Sequence, residues 1–230
     1  MMRIDKLLSQ LKYCTRSEAK TFLEQHVFTI NNKRVQSSHQ SIDPTCDIMV
    51  LDGKKVFYKS PIHLMINKPK GYLSANHDPI HPCVVDLIKD PYDRFDYSIA
   101  GRLDIDTEGL IILTTDGSFV HDIISPKKHV QKVYEVILDK TFTHDKELLL
   151  GVTIKDGKNQ EYLAKAIELT KNEEKIYLTI DEGKFHQVKR MFQALNYQVT
   201  HLKRIQIGKL KLGDLSPGDY IEITKEMLYD

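Results

Sequence analysis

The chain has 230 residues, enough for one large domain or two small ones, and its 41% apolar and 28% charged content is that of an ordinary globular protein. No apolar run approaches the roughly 20 residues a bilayer span needs. The opening Met1-Met2-Arg3-Ile4-Asp5-Lys6 lacks a signal peptide's apolar stretch. Three scattered cysteines, Cys14, Cys46 and Cys83, argue against a disulfide framework and for a reducing, cytoplasmic setting. Net charge is only +1, but it is unevenly placed. Residues 1–60 carry ten Lys/Arg against six Asp/Glu, and residues 183–213 carry seven basic side chains and no acidic one. Such a tract suits phosphate attraction, and equally a solvated face whose partners lie elsewhere in the fold.

In chain order, Ile4, Leu7, Leu8 and Leu11 fall on one face of a helix. Thr15-Arg16-Ser17-Glu18 fits a capping box opening a second helix, with Ala19, Phe22 and Leu23 as its buried stripe. Val27-Phe28-Thr29-Ile30 favours strand, Asn31-Asn32 a turn at positive φ, and Lys33-Arg34-Val35 the returning partner. Asp47-Ile48-Met49-Val50 followed by Asp52-Gly53 repeats the strand-turn pattern. Lys59-Ser60-Pro61 marks the best boundary, giving an N-terminal module at 1–58 and a larger domain at 61–230. Beyond it, strands are expected at 64–66, 110–113, 133–138, 163–169, 176–180, 199–202 and 220–223, and helices at 118–124, 144–150 and 186–195. That alternation is not a regular βαβ series. It predicts an α+β protein with a mixed, largely antiparallel sheet flanked by helices.

Four stretches carry potential chemistry. Asn67-Lys68-Pro69-Lys70-Gly71 ends an expected strand, and Lys132-Val133-Tyr134-Glu135-Val136 lies in another. Glu182-Gly183-Lys184-Phe185-His186-Gln187-Val188-Lys189-Arg190-Met191-Phe192 runs from a glycine turn into a helix. The fourth, Gly101-Arg102-Leu103-Asp104-Ile105-Asp106-Thr107-Glu108-Gly109-Leu110, sets two glycines around a cluster of charges before an apolar strand. Such a loop can hold a carboxylate at a rigid mouth. The plainer reading of those residues is a polar turn whose aspartates cap backbone N–H groups.

Residues 101–110 resemble the GRLDxDTxGL motif of the RsuA-type pseudouridine synthases. Lys68-Pro69-Lys70-Gly71 looks like that family's KPxG, residues 132–136 its KxYxV strand, and residues 182–192 its EGxxHQVKRMF segment. Residues 3–53 resemble an S4 RNA-binding module, so the likeness spans nearly the whole chain. Asn67-Lys68-Pro69-Lys70-Gly71-Tyr72 and Asp78-Pro79-Ile80-His81-Pro82 are most similar to the branch acting on small-subunit ribosomal RNA, associated with uridine 516 of 16S rRNA. Sister enzymes of large-subunit (23S) RNA share the four motifs, and a non-catalytic S4-type ribosome-assembly protein is the rival from another class.

The resemblance implies a reaction that needs no cofactor and no metal. It makes Asp104 the nucleophile, Lys189 the cation that keeps it ionised, and Tyr134 the ring on which uracil stacks. Arg102 would brace the helix the flipped nucleotide leaves. Thr107 would shape the loop, and Lys68 and Gly71 the rim. His186, Gln187 and Arg190 complete the substrate-binding set. Lys12, Arg16, Lys20, Lys33 and Arg34 of the N-terminal module would meet RNA phosphates. The implied partner is ribosomal RNA or an assembling subunit, with no membrane, and the family expectation is a monomer. His77, His81 and Cys83 lack a companion pair for zinc, and Asp104 with Asp106 lacks the phosphates magnesium sites usually share.

Overall fold

A computed structural model describes residues 1–229, which pack as two units. The first comprises Met1–Ile62 together with Ile88–Tyr97. It contains β1 (Met2–Arg3), α1 (Ile4–Gln10), α2 (Ala19–Gln25), β2 (Phe28–Ile30), β3 (Lys33–Arg34), β4 (Ser41–Ile42), β5 (Met49–Leu51) and β6 (Lys54–Lys55). The helical stripe is as read: Ile4, Leu7, Leu8 and Leu11 are all buried, packed with Ala19, Phe28, Ile42 and Met49. The capping box forms differently. Glu18 accepts from the Thr15 amide at 2.9 Å and from its hydroxyl at 2.6 Å, so the hydroxyl is a donor here and α2 begins only at Ala19. Asn31 and Asn32 take the expected positive φ, and so do Asp52 and Gly53. The small sheet runs β3-β2-β5-β6, and each edge strand is a dibasic pair. Lysine on an edge also discourages pairing with another chain.

The segment Ile88–Tyr97 lies beyond the boundary read at Lys59-Ser60-Pro61, yet it packs in this first unit. Its aromatic and charged residues explain that placement. The Phe95 and Tyr92 rings meet Phe57 edge-on, the Arg94 guanidinium lies 4.6 Å over Tyr13, and Lys12 reaches Asp96 at 3.1 Å.

The second unit comprises His63–Leu87 and Ser98–Asp230, described to residue 229. Its elements are β7 (His63–Lys68), β8 (Ser98–Ala100), β9 (Glu108–Thr114), α3 (Gly117–Ile124), β10 (Lys132–Leu138), α4 (Asp145–Leu150), β11 (Val152–Lys155), β12 (Glu161–Ala164), β13 (Glu168–Asn172), β14 (Lys175–Ile180), α5 (Gln187–Gln193), β15 (Val199–Ile207), β16 (Leu210–Lys211) and β17 (Tyr220–Glu222). Nine strands form one sheet in the order β13-β14-β10-β15-β9-β7-β17, with β16 added to β15 and β8 to β9. Every described pairing in it is antiparallel except β15 with β9, so the sheet is mixed and largely antiparallel, as expected.

All six residues of β7 are buried, as are Gly109 through Thr114 of β9. That is why these strands read as unbroken apolar runs rather than as alternating ones. Leu110 and Ile112 pack with Phe119 and Ile123 of α3 and with Ile207, Leu210 and Ile223. The strand expected at 163–169 is two strands. The chain leaves β12, whose partner is β11, turns at Lys165-Ala166-Ile167, and joins β14 as β13. There Ala166 gives its amide to Leu148 of α4 instead of to a ladder.

Candidate active site

The loop between β8 and β9 is held from several sides, and each tie explains a residue of its motif. Ser74 donates its hydroxyl to the Leu103 carbonyl at 2.7 Å and accepts the Leu103 amide at 3.0 Å. The Gly71 amide donates to the Ile105 carbonyl at 2.8 Å, and the Thr107 amide closes a turn onto Asp104 O. Lys68, fully buried, donates to the carbonyls of Thr107 at 2.8 Å and Pro69 at 3.0 Å. Burial drives the Lys68 pKa down to about 8, although Asp106, Asp104 and Glu108 pull the other way.

The two bracketing glycines answer to one arginine. Where β15 runs parallel to β9, Arg204 lies opposite Gly109, and a Cβ at Gly109 would overlap the Arg204 carbonyl. The Arg204 side chain is fully buried. Its Nε donates to Leu110 O at 2.8 Å, one terminal nitrogen to Gly101 O at 2.5 Å, and the other to the Tyr134 hydroxyl at 3.4 Å. A Cβ at Gly101, where φ is +79°, would stand 3.4 Å from that guanidinium. Arg204 thus ties together the ends of the loop and the tyrosine. Neither Arg204 nor Ser74 was singled out in the sequence, where Arg204 is one of seven cations in a basic tract.

The loop presents Asp104 to a cavity of about 310 Å³, a volume at the lower end of small-ligand sites. Its wall includes Arg102, Asp104, Thr107, Tyr134, His186, Gln187, Lys189 and Arg204, with Leu103, Ile180 and Leu202 as apolar surface. Asp104 is not sealed in, since its side chain is 27% exposed. Lys189, on the first turns of α5, donates to Asp104 Oδ2 at 2.9 Å and to Asp106 Oδ1 at 2.6 Å. Burial works against the Lys189 ammonium, but the hydrogen bonds to Asp106 and Asp104 outweigh it and raise its pKa. Burial likewise disfavours the Asp106 carboxylate, and the bond from Lys189 overcomes it and lowers that pKa. A proton-bearing lysine therefore bridges the Asp104 and Asp106 carboxyl groups. His186 approaches from the other side, its Nε2 3.2 Å from Asp104 Oδ1.

Tyr134 is buried on β10 beside a β-bulge between Val133 and Tyr134, and its register partners are Leu178 of β14 and Arg204 of β15. The Gln187 side-chain oxygen Oε1 accepts the Lys184 amide at 3.0 Å, and its side-chain nitrogen Nε2 is buried without a partner. Arg102 is exposed at the rim. Lys68 and Gly71 grip the loop from outside the cavity wall. Arg190 also lies outside that wall, its guanidinium on the carbonyls of Lys155 and Asp156 at 2.5 and 3.0 Å. In the first unit Arg16, Lys20, Lys33 and Arg34 are exposed, whereas Lys12 is engaged with Asp96 and the carbonyls of Asp93 and Phe95. Among the described residues, no group of three or more His, Cys, Asp or Glu is disposed to hold a metal ion. No helix among them is long and apolar enough to cross a membrane.

Comparison with known proteins agrees with this arrangement. Residues 62–194 match the RNA pseudouridylate synthase family and residues 2–45 match the S4 domain. The uncharacterized RNA pseudouridine synthase YtzG of Bacillus subtilis is 40% identical over 99% of this chain and 97% of its own length. Ribosomal small subunit pseudouridine synthase A is 37% identical in Yersinia pestis (98% of this chain, 96% of that protein) and 35% identical in Escherichia coli K12 (98% and 97%). A crystal structure of a pseudouridylate synthase superposes with a TM-score of 0.66 at 32% identity, covering 99% of this chain and 98% of that one. With an S4 domain, a mixed sheet carrying the Asp104 loop, and relatives matched end to end, the chain belongs to the RNA pseudouridylate synthase family and is a pseudouridine synthase.

Proposed function

We propose that this enzyme converts one uridine of small-subunit ribosomal RNA to pseudouridine, with uridine 516 of 16S rRNA as the target and Asp104 as the nucleophile. The relatives named for the small subunit support the substrate class. The observation that carries the site assignment is the Asp104 carboxylate itself. It opens into a cavity shared with Tyr134 and is held 2.9 Å from a lysine that stays protonated.

The isomerisation breaks the N1–C1′ bond and forms a C5–C1′ bond. A proton leaves C5 and one is gained at N1, so atoms and electrons balance within the nucleoside. An ionised carboxylate divides this into easier covalent steps. Lys189 holds and orients the Asp104 carboxyl group, Tyr134 gives the detached base a flat surface, and Leu103, Ile180 and Leu202 keep it from water. Arg204 fixes the Tyr134 hydroxyl and the Gly101 carbonyl, and so sets the distance between ring and carboxylate. Arg102 at the rim braces the RNA as the uridine turns out of its stack. Residues 1–58 supply affinity through exposed cations, with the chemistry confined to 61–230.

The test is pseudouridine mapping across ribosomal RNA in a deletion strain. Loss of a single small-subunit site, restored by the wild-type gene, is the expected result. Loss of a large-subunit site instead would move the enzyme to another target. No lost site would remove the assignment.

A further inference from the structure

Phe185 is an exposed large apolar side chain next to the site that the chemistry above leaves unused. The residue is 53% exposed, although burial of such a ring is favourable. It is nevertheless held in place. The His186 ring stacks on it at 3.8 Å between centroids and 21° between planes, and the Arg190 guanidinium lies 4.9 Å over it. Arg190 is itself fixed by the carbonyls of Lys155 and Asp156. At Gly157 a Cβ would come within 3.3 Å of the Phe185 Cβ, so the turn after β11 closes on the root of the side chain. The stack leads inward, because His186 Nε2 is 3.2 Å from Asp104 Oδ1.

We propose that Phe185, backed by Arg190, is a stacking subsite for a nucleobase next to the target uridine. The inference rests on the reaction site proposed above and extends it by one nucleotide. Turning a base out of an RNA stack deprives its neighbours of a stacking partner. A fixed aromatic face outside the cavity replaces that partner, and the guanidinium beside it suits both a π surface and a nearby phosphate. Because every base offers a π face, the subsite accepts any base and serves affinity rather than sequence choice. The adjoining cavity, which takes a uracil in the reaction proposed above and shares His186 with this stack, points to RNA as the occupant rather than an apolar peptide.

The experiment uses the full-length enzyme and a small-subunit rRNA fragment spanning the mapped uridine, with KM and kcat measured by pseudouridine formation. Phe185→Ala is expected to raise KM by about 5- to 100-fold, the usual worth of one base–aromatic stack, with the larger part of the loss in KM. Phe185→Trp restores binding and Phe185→Leu does not, which separates stacking from simple apolar cover. A set of fragments with one abasic residue at each of the three positions on either side completes the test. At one of those positions the wild type loses a similar factor, and Phe185→Ala then adds no further loss. An unchanged KM in Phe185→Ala, or additive losses at every abasic position, overturns the subsite while leaving the reaction site standing. Absence of turnover by the wild type on the intact fragment overturns the reaction site and the subsite together.

Discussion

The two units handle positive charge in opposite ways. In the first unit Arg16, Lys20, Lys33 and Arg34 are exposed, and two edge strands end in the pairs Lys33–Arg34 and Lys54–Lys55. In the second, Lys189 bridges two carboxylates, Lys68 is buried against two carbonyls, and Arg204 is buried against two carbonyls and a hydroxyl. A cation that attracts a polyanion works from water, where neighbours are interchangeable and salt screens it. A cation that must fix an atom is withdrawn from water and tied to oxygens, and then no neighbour replaces it. Substitutions should therefore act steeply in the second unit and gradually in the first.

The steepest case is Asp104→Asn. It removes the proposed nucleophile without changing the side chain's volume, so kcat on the rRNA fragment should fall at least about a thousandfold while RNA affinity stays within a few-fold. Equal loss of binding would mean that the two units are not functionally divided as argued. Lys189→Met should come next, at about a hundredfold or more, because it leaves Asp104 and Asp106 facing each other without their shared ammonium. Lys189→Arg should recover most of that loss.

Arg204→Lys sharpens the contrast. Lysine keeps the charge but cannot reach Leu110 O, Gly101 O and the Tyr134 hydroxyl together. Activity should fall about tenfold to a hundredfold, and stability by roughly 1–3 kcal/mol for a buried carbonyl left unpaired, read by urea unfolding. Wild-type stability with reduced activity would confine Arg204 to positioning Tyr134.

The same contrast governs how much was legible beforehand. Periodicity exposed the Ile4, Leu7, Leu8 and Leu11 stripe, and unbroken apolar runs exposed β7 and β9, because local pattern fixes both. Asp104, Tyr134 and Lys189 stood out because they sit inside recognisable motifs. Arg204 and Ser74 did not, because each acts across a long stretch of chain: Arg204 on Gly101, and Ser74 on Leu103. Only the parallel register of β15 with β9 turns Arg204 inward. The two glycines around the Asp104 loop were the available signal, since both mark space taken by that arginine. The reading of 163–169 as one strand failed for a related reason. Its halves serve different partners, and a choice of partner leaves no local trace.

In the first unit the expected effects are small and additive. Replacing Lys33 and Arg34 with alanine should weaken RNA binding a few-fold at moderate salt. It should also lower the slope of log affinity against log salt by about one for each phosphate no longer neutralised. An effect confined to kcat would contradict the hydrated-cation account of that strand.

The last expected effect leaves activity aside. Burial sets the Lys68 pKa at about 8 in the folded protein, against the 10.5 it starts from, and Lys132, shielded by burial and repelled by Arg204, also stands at about 8. At these two sites the unfolded chain holds more protons than the folded one between those limits, so their contribution to stability rises with pH from about 8 to about 10.5, against the opposite pull of raised groups such as Cys14, Cys83 and Tyr162. Each lysine contributes a slope of at most about 1.4 kcal/mol per pH unit. Below pH 8 both lysines are protonated in either state and their share of the slope vanishes. Lys68→Met should flatten the rise and leave the share from Lys132, while Lys33→Met, at an exposed site, should leave it intact. Urea unfolding at half-unit steps from pH 7.5 to 10.5 reads the difference. An unchanged slope in Lys68→Met would mean that water reaches the Lys68 ammonium, and that its two carbonyl ties are not what holds the Asp104 loop.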